Sequence, residues 1–126
     1  MNIQIYFEPL PAGIYGAAIQ DGEDRSKYFL FCDTTSSAQR RRFTFGHELA
    51  HIMEGHFDTE DALTFCQNGE RKALYQNGVY IPPDGKLFDR DNHSERSADK
   101  NAWYYYRRFR DQFMQAEKTG AAIIVA

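Results

Sequence analysis

The chain has 126 residues, 42% of them hydrophobic and 15% aromatic, which suits one domain (residues 1–126) that buries a core without disulfides or a structural metal. A formal net charge of -3 excludes a general attraction to nucleic acid. Two cysteines, Cys32 and Cys66, are too few for a disulfide scaffold, and without a basic n-region or a long apolar run in the sequence no signal peptide or membrane span is expected, so reduced thiols in the cytoplasm are expected.

The first predicted element is a short strand, because Ile3, Ile5 and Phe7 alternate with polar residues, and Pro9 and Pro11 end it. Residues 14–20 and 27–32 are β-prone, and the turn chemistry of residues 21–26 joins them into a hairpin. Ser36-Ser37-Ala38-Gln39 fits an S-x-x-Q capping box with Ser36 as cap. The helix that follows is predicted over 37–54, with Gly55 as its stop and Ala38, Phe45, Leu49, Ile52 and Met53 as apolar positions. Beyond it, 59–66 is read as a short helix and 75–80 as a hairpin in a loop punctuated by Gly and Pro. A second long helix is predicted over 94–118, closed by Gly120, with Ala98, Ala102, Phe109 and Phe113 at helical spacing. The terminal run 121–126 is apolar but far too short to cross a bilayer.

The densest chemistry lies in His47-Glu48-Leu49-Ala50-His51, an H-E-x-x-H pentapeptide near the end of the first predicted helix. Residues four apart share a helical face, so His47 and His51 can converge on one metal ion. Glu48 lies roughly 100° round the helix, placed to act as general base on a water at the metal's open side. Two histidines leave a catalytic zinc one protein ligand short.

Three sources compete for that ligand. His56 stands in the wrong register for an extended three-histidine motif and, past Gly55, reads as a helix-terminal residue favoured by the dipole. Glu95, on the later helix, would complete a His2Glu set and is favoured, although it also fits an N-x-x-E capping box with Asn92. Asp99, one turn on from Glu95, could accept a hydrogen bond from the distal N–H of His47 or His51. His93, Asp91 and Asp89 are the reserve, with His93 first among them.

The run Arg40-Arg41-Arg42-Phe43-Thr44-Phe45-Gly46-His47-Glu48-Leu49-Ala50-His51, followed by Gly55-His56, resembles the core of the ImmA/IrrE family of metallopeptidases. The lead-in from Leu10 to Gly16 and the segment Glu95-Arg96-Ser97-Ala98-Asp99-Lys100-Asn101-Ala102 are similar to that family as well. Asp99 and Asn101 differ from the residues usual there, and so does the Trp103-Tyr104-Tyr105-Tyr106 run. The resemblance implies a small zincin-like α+β fold, a short antiparallel sheet packed on the H-E-x-x-H helix and a second long C-terminal helix. It implies His47, His51 and Glu95 as metal ligands and Glu48 as the base. It also implies endopeptidase action on a protein partner, a separate helix-turn-helix repressor of phage, mobile-element or stress genes. Zinc is the expected metal, with manganese an alternative.

An oxyanion donor or substrate contact is sought among His93, Arg96 and one of Tyr104, Tyr105 and Tyr106. Arg40, Arg41 and Arg42 read as a solvated face or as a rim for an acidic substrate. Four consecutive aromatics from Trp103 cannot all face inward on one helix. A competing reading from another class is a non-catalytic zincin-like module that docks on a repressor, toxin or antitoxin.

Overall fold

The computed structural model describes residues 1–21, 24–58, 74–76, 79–81 and 93–126. Strand β1 (Asn2–Glu8) buries Ile3, Ile5 and Phe7 and leaves the alternate residues partly exposed, as its period of two requires. Strands β2 (Gly16–Gln20) and β3 (Lys27–Asp33) form the expected antiparallel hairpin, with Ala18 opposite Leu30. The sheet is mixed rather than wholly antiparallel: β3 inserts between β2 and β1 and runs parallel to β1, with Ile5 opposite Leu30.

Asp33, at the end of β3, turns the chain into the first helix. Its carboxylate accepts from the Leu10 and Thr35 amides at 3.0 and 3.2 Å and from the Thr35 hydroxyl at 2.7 Å. Burial pushes this carboxyl up, but those hydrogen bonds outweigh it and hold it below its usual value.

Helix α1 (Ala38–Met53) begins one residue later than the capping box implied. Ser37 is the cap, and its hydroxyl accepts from the Arg40 amide at 3.2 Å. Ser36 is engaged elsewhere, because its hydroxyl donates to the Asp33 carbonyl at 2.8 Å. The helix ends at Glu54 and Gly55, whose φ of 70° is the left-handed stop the glycine was expected to supply. A single 3-10 turn, His56–Asp58, follows. Two short strands, β4 (Leu74–Gln76) and β5 (Val79–Ile81), pair with Tyr75 opposite Tyr80, as expected. The helix expected over 59–66, and Cys66 within it, lie outside the described residues.

The long helix expected over 94–118 is two helices, α2 (His93–Arg108) and α3 (Arg110–Thr119), broken at Phe109 with φ -113° and ψ 32°. No Gly or Pro marks the break. Its reason is packing: the Phe113 ring sits 5.4 Å from Phe7, 5.3 Å from Phe45 and 5.1 Å from Tyr106, which a redirected α3 makes possible. Gly120 closes α3 at φ 88°. The apolar tail then forms strand β6 (Ala121–Val125), antiparallel to β1 with Ile124 opposite Ile3.

The architecture is therefore α+β, with the four-stranded sheet in the order β2-β3-β1-β6, compatible with a zincin-like domain. The main core lies between one sheet face and the helices, where Ile3, Ile5 and Leu30 meet Phe45, Leu49, Ile52, Ala98 and Phe113. Cys32 is a buried free thiol there, pushed up by that burial, and its S–H donates to the Arg41 carbonyl at 3.6 Å. No helix among the described residues is long and apolar enough to cross a membrane.

Candidate metal centre

The C-terminal half of α1 is buried on all sides, from Thr44 to Ile52. That burial carries His47, Glu48 and His51 inside with their apolar neighbours, and α2 packs across the same stretch and brings Glu95 to them. His47 Nε2 lies 3.2 Å from His51 Nε2 and 3.1 Å from Glu95 Oε2, and His51 Nε2 lies 3.0 Å from Glu95 Oε1. Bonds of about 2.0–2.1 Å in a tetrahedral zinc shell set neighbouring ligand atoms roughly 3.3 Å apart, so these spacings fit the edges of such a shell. Two ring nitrogens and a carboxylate at this separation need positive charge among them. His47, His51 and Glu95 are thus the residues that could hold a metal ion.

The electrostatics agree. Burial pushes the His47 imidazole down, but the Glu95 hydrogen bond and the charges of Glu48, Glu95 and Asp99 overcome it and lift it to about 9. Burial pushes Glu95 up, yet hydrogen bonds from His47 and His51 hold it down at about 2. The pocket therefore favours an anion at 95 and a cation beside it.

Glu48 is buried next to the pair. It runs past Gly16, where an added Cβ would lie 3.4 Å from Glu48 Cγ and would overlap Thr44 and the Phe31 carbonyl. The glycine lets β2 approach the helix at the residue that carries the carboxylate.

A layer of polar groups backs the two imidazoles. His47 Nδ1 lies 2.8 Å from Asp99 Oδ1, with the length of an ion pair rather than the alignment of a good ring N–H hydrogen bond. Behind His51 stands His56, with the two Nδ1 atoms 2.9 Å apart. His56, expected as a helix-terminal residue, lies just past the helix end and is buried. Its Nε2 lies 3.4 Å from Glu54 Oε1. Glu54 also accepts from Ser97 Oγ and Asn101 Nδ2, both at 2.7 Å, and from the Tyr105 hydroxyl at 3.3 Å. Glu54 was not anticipated; the signal available for it was its place as the last residue before the Gly55-His56 pair.

The remaining candidates are placed as follows. His93 is the first residue of α2, and Arg96 is exposed on its first turn. Tyr104 is exposed and Tyr105 buried. Tyr106 packs its ring against Phe113 and Trp103. Asn92, Asp91 and Asp89 lie outside the described residues. A groove lined by Ser37, Gln39, Arg40, Phe43 and Trp103 adjoins the centre through Phe43, whose ring is 5.9 Å from that of His47. Of the three arginines, Arg41 pairs with Glu117 at 2.6 Å, Arg42 is exposed, and Arg40 lies over the Tyr15 ring at 4.6 Å.

No curated protein and no solved structure matches the chain. The model of Peptidase_M78, the IrrE N-terminal-like domain, matches residues 1–77, from β1 through the H-E-x-x-H helix to β4. Glu95 and Asp99 lie beyond the matched residues, and α2 brings them to the site nonetheless. On that match and this geometry, the chain belongs to the Peptidase_M78 family, a metallopeptidase kind of hydrolase.

Proposed function

We propose that the protein is a zinc-dependent endopeptidase that cuts a separate helix-turn-helix repressor in the cytoplasm. The observation that carries this reading is the convergence of His47 Nε2, His51 Nε2 and a Glu95 oxygen at 3.0–3.2 Å beside Glu48. Two imidazole nitrogens and one carboxylate are the donor set of many catalytic zinc sites, which favours zinc over manganese. A divalent cation held there supplies Lewis-acid polarisation of the scissile carbonyl and acidifies a water.

The chain's own residues do the rest. Glu48 takes the proton of the attacking water and passes it to the leaving amine. Its burial against Gly16 and Thr44 limits the rotamers it can adopt, so the carboxylate is held ready. His47 and His51 sit on one helical face, and Asp99 stands behind the first, so that ring does not turn freely. The groove of Arg40, Phe43 and Trp103 offers a substrate peptide an aromatic wall and a cation one to two turns from the ligands. That chemistry suits an acidic residue flanked by apolar ones. The net charge of -3 favours a protein substrate over DNA.

The test is metal content and repressor cleavage by wild type and Glu48→Gln. Both proteins are expected to hold zinc, and only wild type to cleave, with the variant slower by about 10²–10⁴-fold. Cleavage at the wild-type rate by Glu48→Gln would sink the mechanism. Tight repressor binding without cleavage by either protein would replace it with the docking reading.

A further inference from the structure

Among the described residues, His56 and Glu54 form a polar cluster that the proposed reaction does not use. Both His51 and His56 are buried, and their Nδ1 atoms face each other at 2.9 Å. His56 Nε2 faces Glu54 Oε1 at 3.4 Å. Neither nitrogen of His56 is turned to the corner where His47, His51 and Glu95 meet, so His56 does not belong to the ligand set.

With His56 neutral, one proton order fits this chain. The Glu54 carboxylate lies at ion-pair length from His56 Nε2, which favours a proton on that nitrogen. His56 Nδ1 then carries a lone pair and accepts. The facing atom, His51 Nδ1, must be the donor. A neutral imidazole with its proton on Nδ1 presents a lone pair at Nε2, the atom that faces His47 and Glu95.

Glu54 is in turn fixed by Ser97, Asn101 and Tyr105, all on α2, the helix that carries Glu95. Seating α2 on α1 therefore brings up the Glu95 carboxylate and sets the His51 tautomer together.

We propose that His56 and Glu54 are positioning residues of the metal centre: a carboxylate–imidazole–imidazole relay that holds His51 in the tautomer and orientation that direct Nε2 to the metal. The inference rests on the metallopeptidase reading above. His47 is backed differently, by the Asp99 carboxylate at ion-pair length from its Nδ1. Loss of such outer groups typically costs about 10–100-fold in metal affinity.

The first test needs no variant. Long-range proton–nitrogen NMR of the zinc-loaded wild type is expected to show His51 protonated at Nδ1, and His56 protonated at Nε2 with a bare Nδ1. A His56 that carries its proton on Nδ1, or on both nitrogens, overturns the relay. The second test is the zinc dissociation constant, by chelator competition, for wild type, His56→Ala, His56→Asn and Glu54→Gln. His56→Ala and Glu54→Gln are expected to weaken zinc binding about 10–100-fold and to shift the visible spectrum of the cobalt form. His56→Asn, whose side-chain oxygen can accept from His51 Nδ1–H, is expected to recover most of the affinity. A purely structural role predicts a lower melting temperature for metal-free His56→Ala with zinc affinity within about twofold of wild type, and that result overturns the proposal. A zinc-loaded wild type that shows these tautomers but cleaves nothing would overturn the peptidase reading and leave the relay standing. Cleavage by a protein whose His56 is protonated on Nδ1 would do the reverse.

Discussion

Gly46 of α1 lies directly against the backbone carbonyl of Ala102 in α2. A Cβ built at position 46 would overlap that carbonyl, and would crowd the Tyr106 amide at 3.1 Å. Glycine inside a helix costs about 1 kcal/mol relative to alanine, so its place here answers to the crossing of the two helices. That crossing sets the distance from His47 and His51 to Glu95, one residue from the glycine at its nearest. Gly46→Ala is expected to push the helices apart, to destabilise the fold by about 1–3 kcal/mol despite the better helix propensity, and to weaken zinc binding. Denaturant unfolding and chelator competition measure the two effects. Unchanged values for both would show that the crossing has slack.

The ligand cluster predicts a pH window for the metal-free protein. Glu95 is depressed to about 2 from 4.5, so its contribution is complete above pH 4.5 and is lost as pH falls towards 2. His47 is raised to about 9 from 6.5, so its contribution is complete below pH 6.5 and is lost as pH rises through 9. Stability from this pair should therefore peak between the two unfolded values. Glu95→Gln is expected to flatten both limbs and to lower the His47 pKa, because burial then acts without its main opponent. Unfolding curves from pH 3 to 10 on chelator-treated protein would show this, together with an NMR titration of His47. Zinc has to displace the His47 proton, so its affinity should fall as pH drops below about 9.

The groove beside Phe43 makes a claim about the substrate. Arg40 is steadied on the Tyr15 ring next to Trp103, and no described carboxylate pairs with it. Arg40→Glu is expected to raise KM about five- to tenfold with kcat nearly unchanged, because a rim charge contributes to ground state and transition state alike. The effect should shrink with added salt. Steady-state kinetics on an acidic peptide substrate and on its uncharged analogue check it. Equal KM values for wild type and variant would remove the arginine from substrate contact.

Glu8, at the end of β1, is a half-buried carboxyl with no hydrogen-bond partner at Oε1, and burial pushes it up to about 7 from 4.5. The folded state then binds the proton more tightly than the unfolded chain does. Stability contributed here is greatest below pH 4.5, declines as pH rises to about 7, and is flat above. Glu8→Gln should abolish that decline and stabilise the protein at pH 8 by roughly 1–2 kcal/mol, after allowance for solvent screening. Melting temperatures of the two proteins at pH 5 and pH 8 decide it. A variant less stable at both would show that Glu8 has a partner.

Local chemistry made much of the fold legible. The hairpin of β2 and β3, the glycine stops at Gly55 and Gly120, and the face shared by His47 and His51 follow from short-range rules of turn, cap and helical period. The cap was misplaced by one residue because two serines compete, and a tertiary contact to Asp33 takes the first. The break at Phe109 was missed because it has no local signal, and strand β6, though its Ile-Ile-Val run is β-prone, because five residues form a strand only against a partner. One depends on where Phe113 finds Phe7 and Phe45, the other on the free edge of β1.

By itself the sequence determined an H-E-x-x-H pentapeptide on a capped helix, with two histidines on one face and a glutamate one residue after the first. Those relations span at most four residues and obey the helix repeat. Only the tertiary structure decided that Glu95, forty-four residues beyond His51, completes the cluster, and that His56 stands behind His51 rather than beside it. The reason is physical. Groups far apart in sequence meet only where packed helices bring them together, and here Gly46 at the α1–α2 crossing lets them approach.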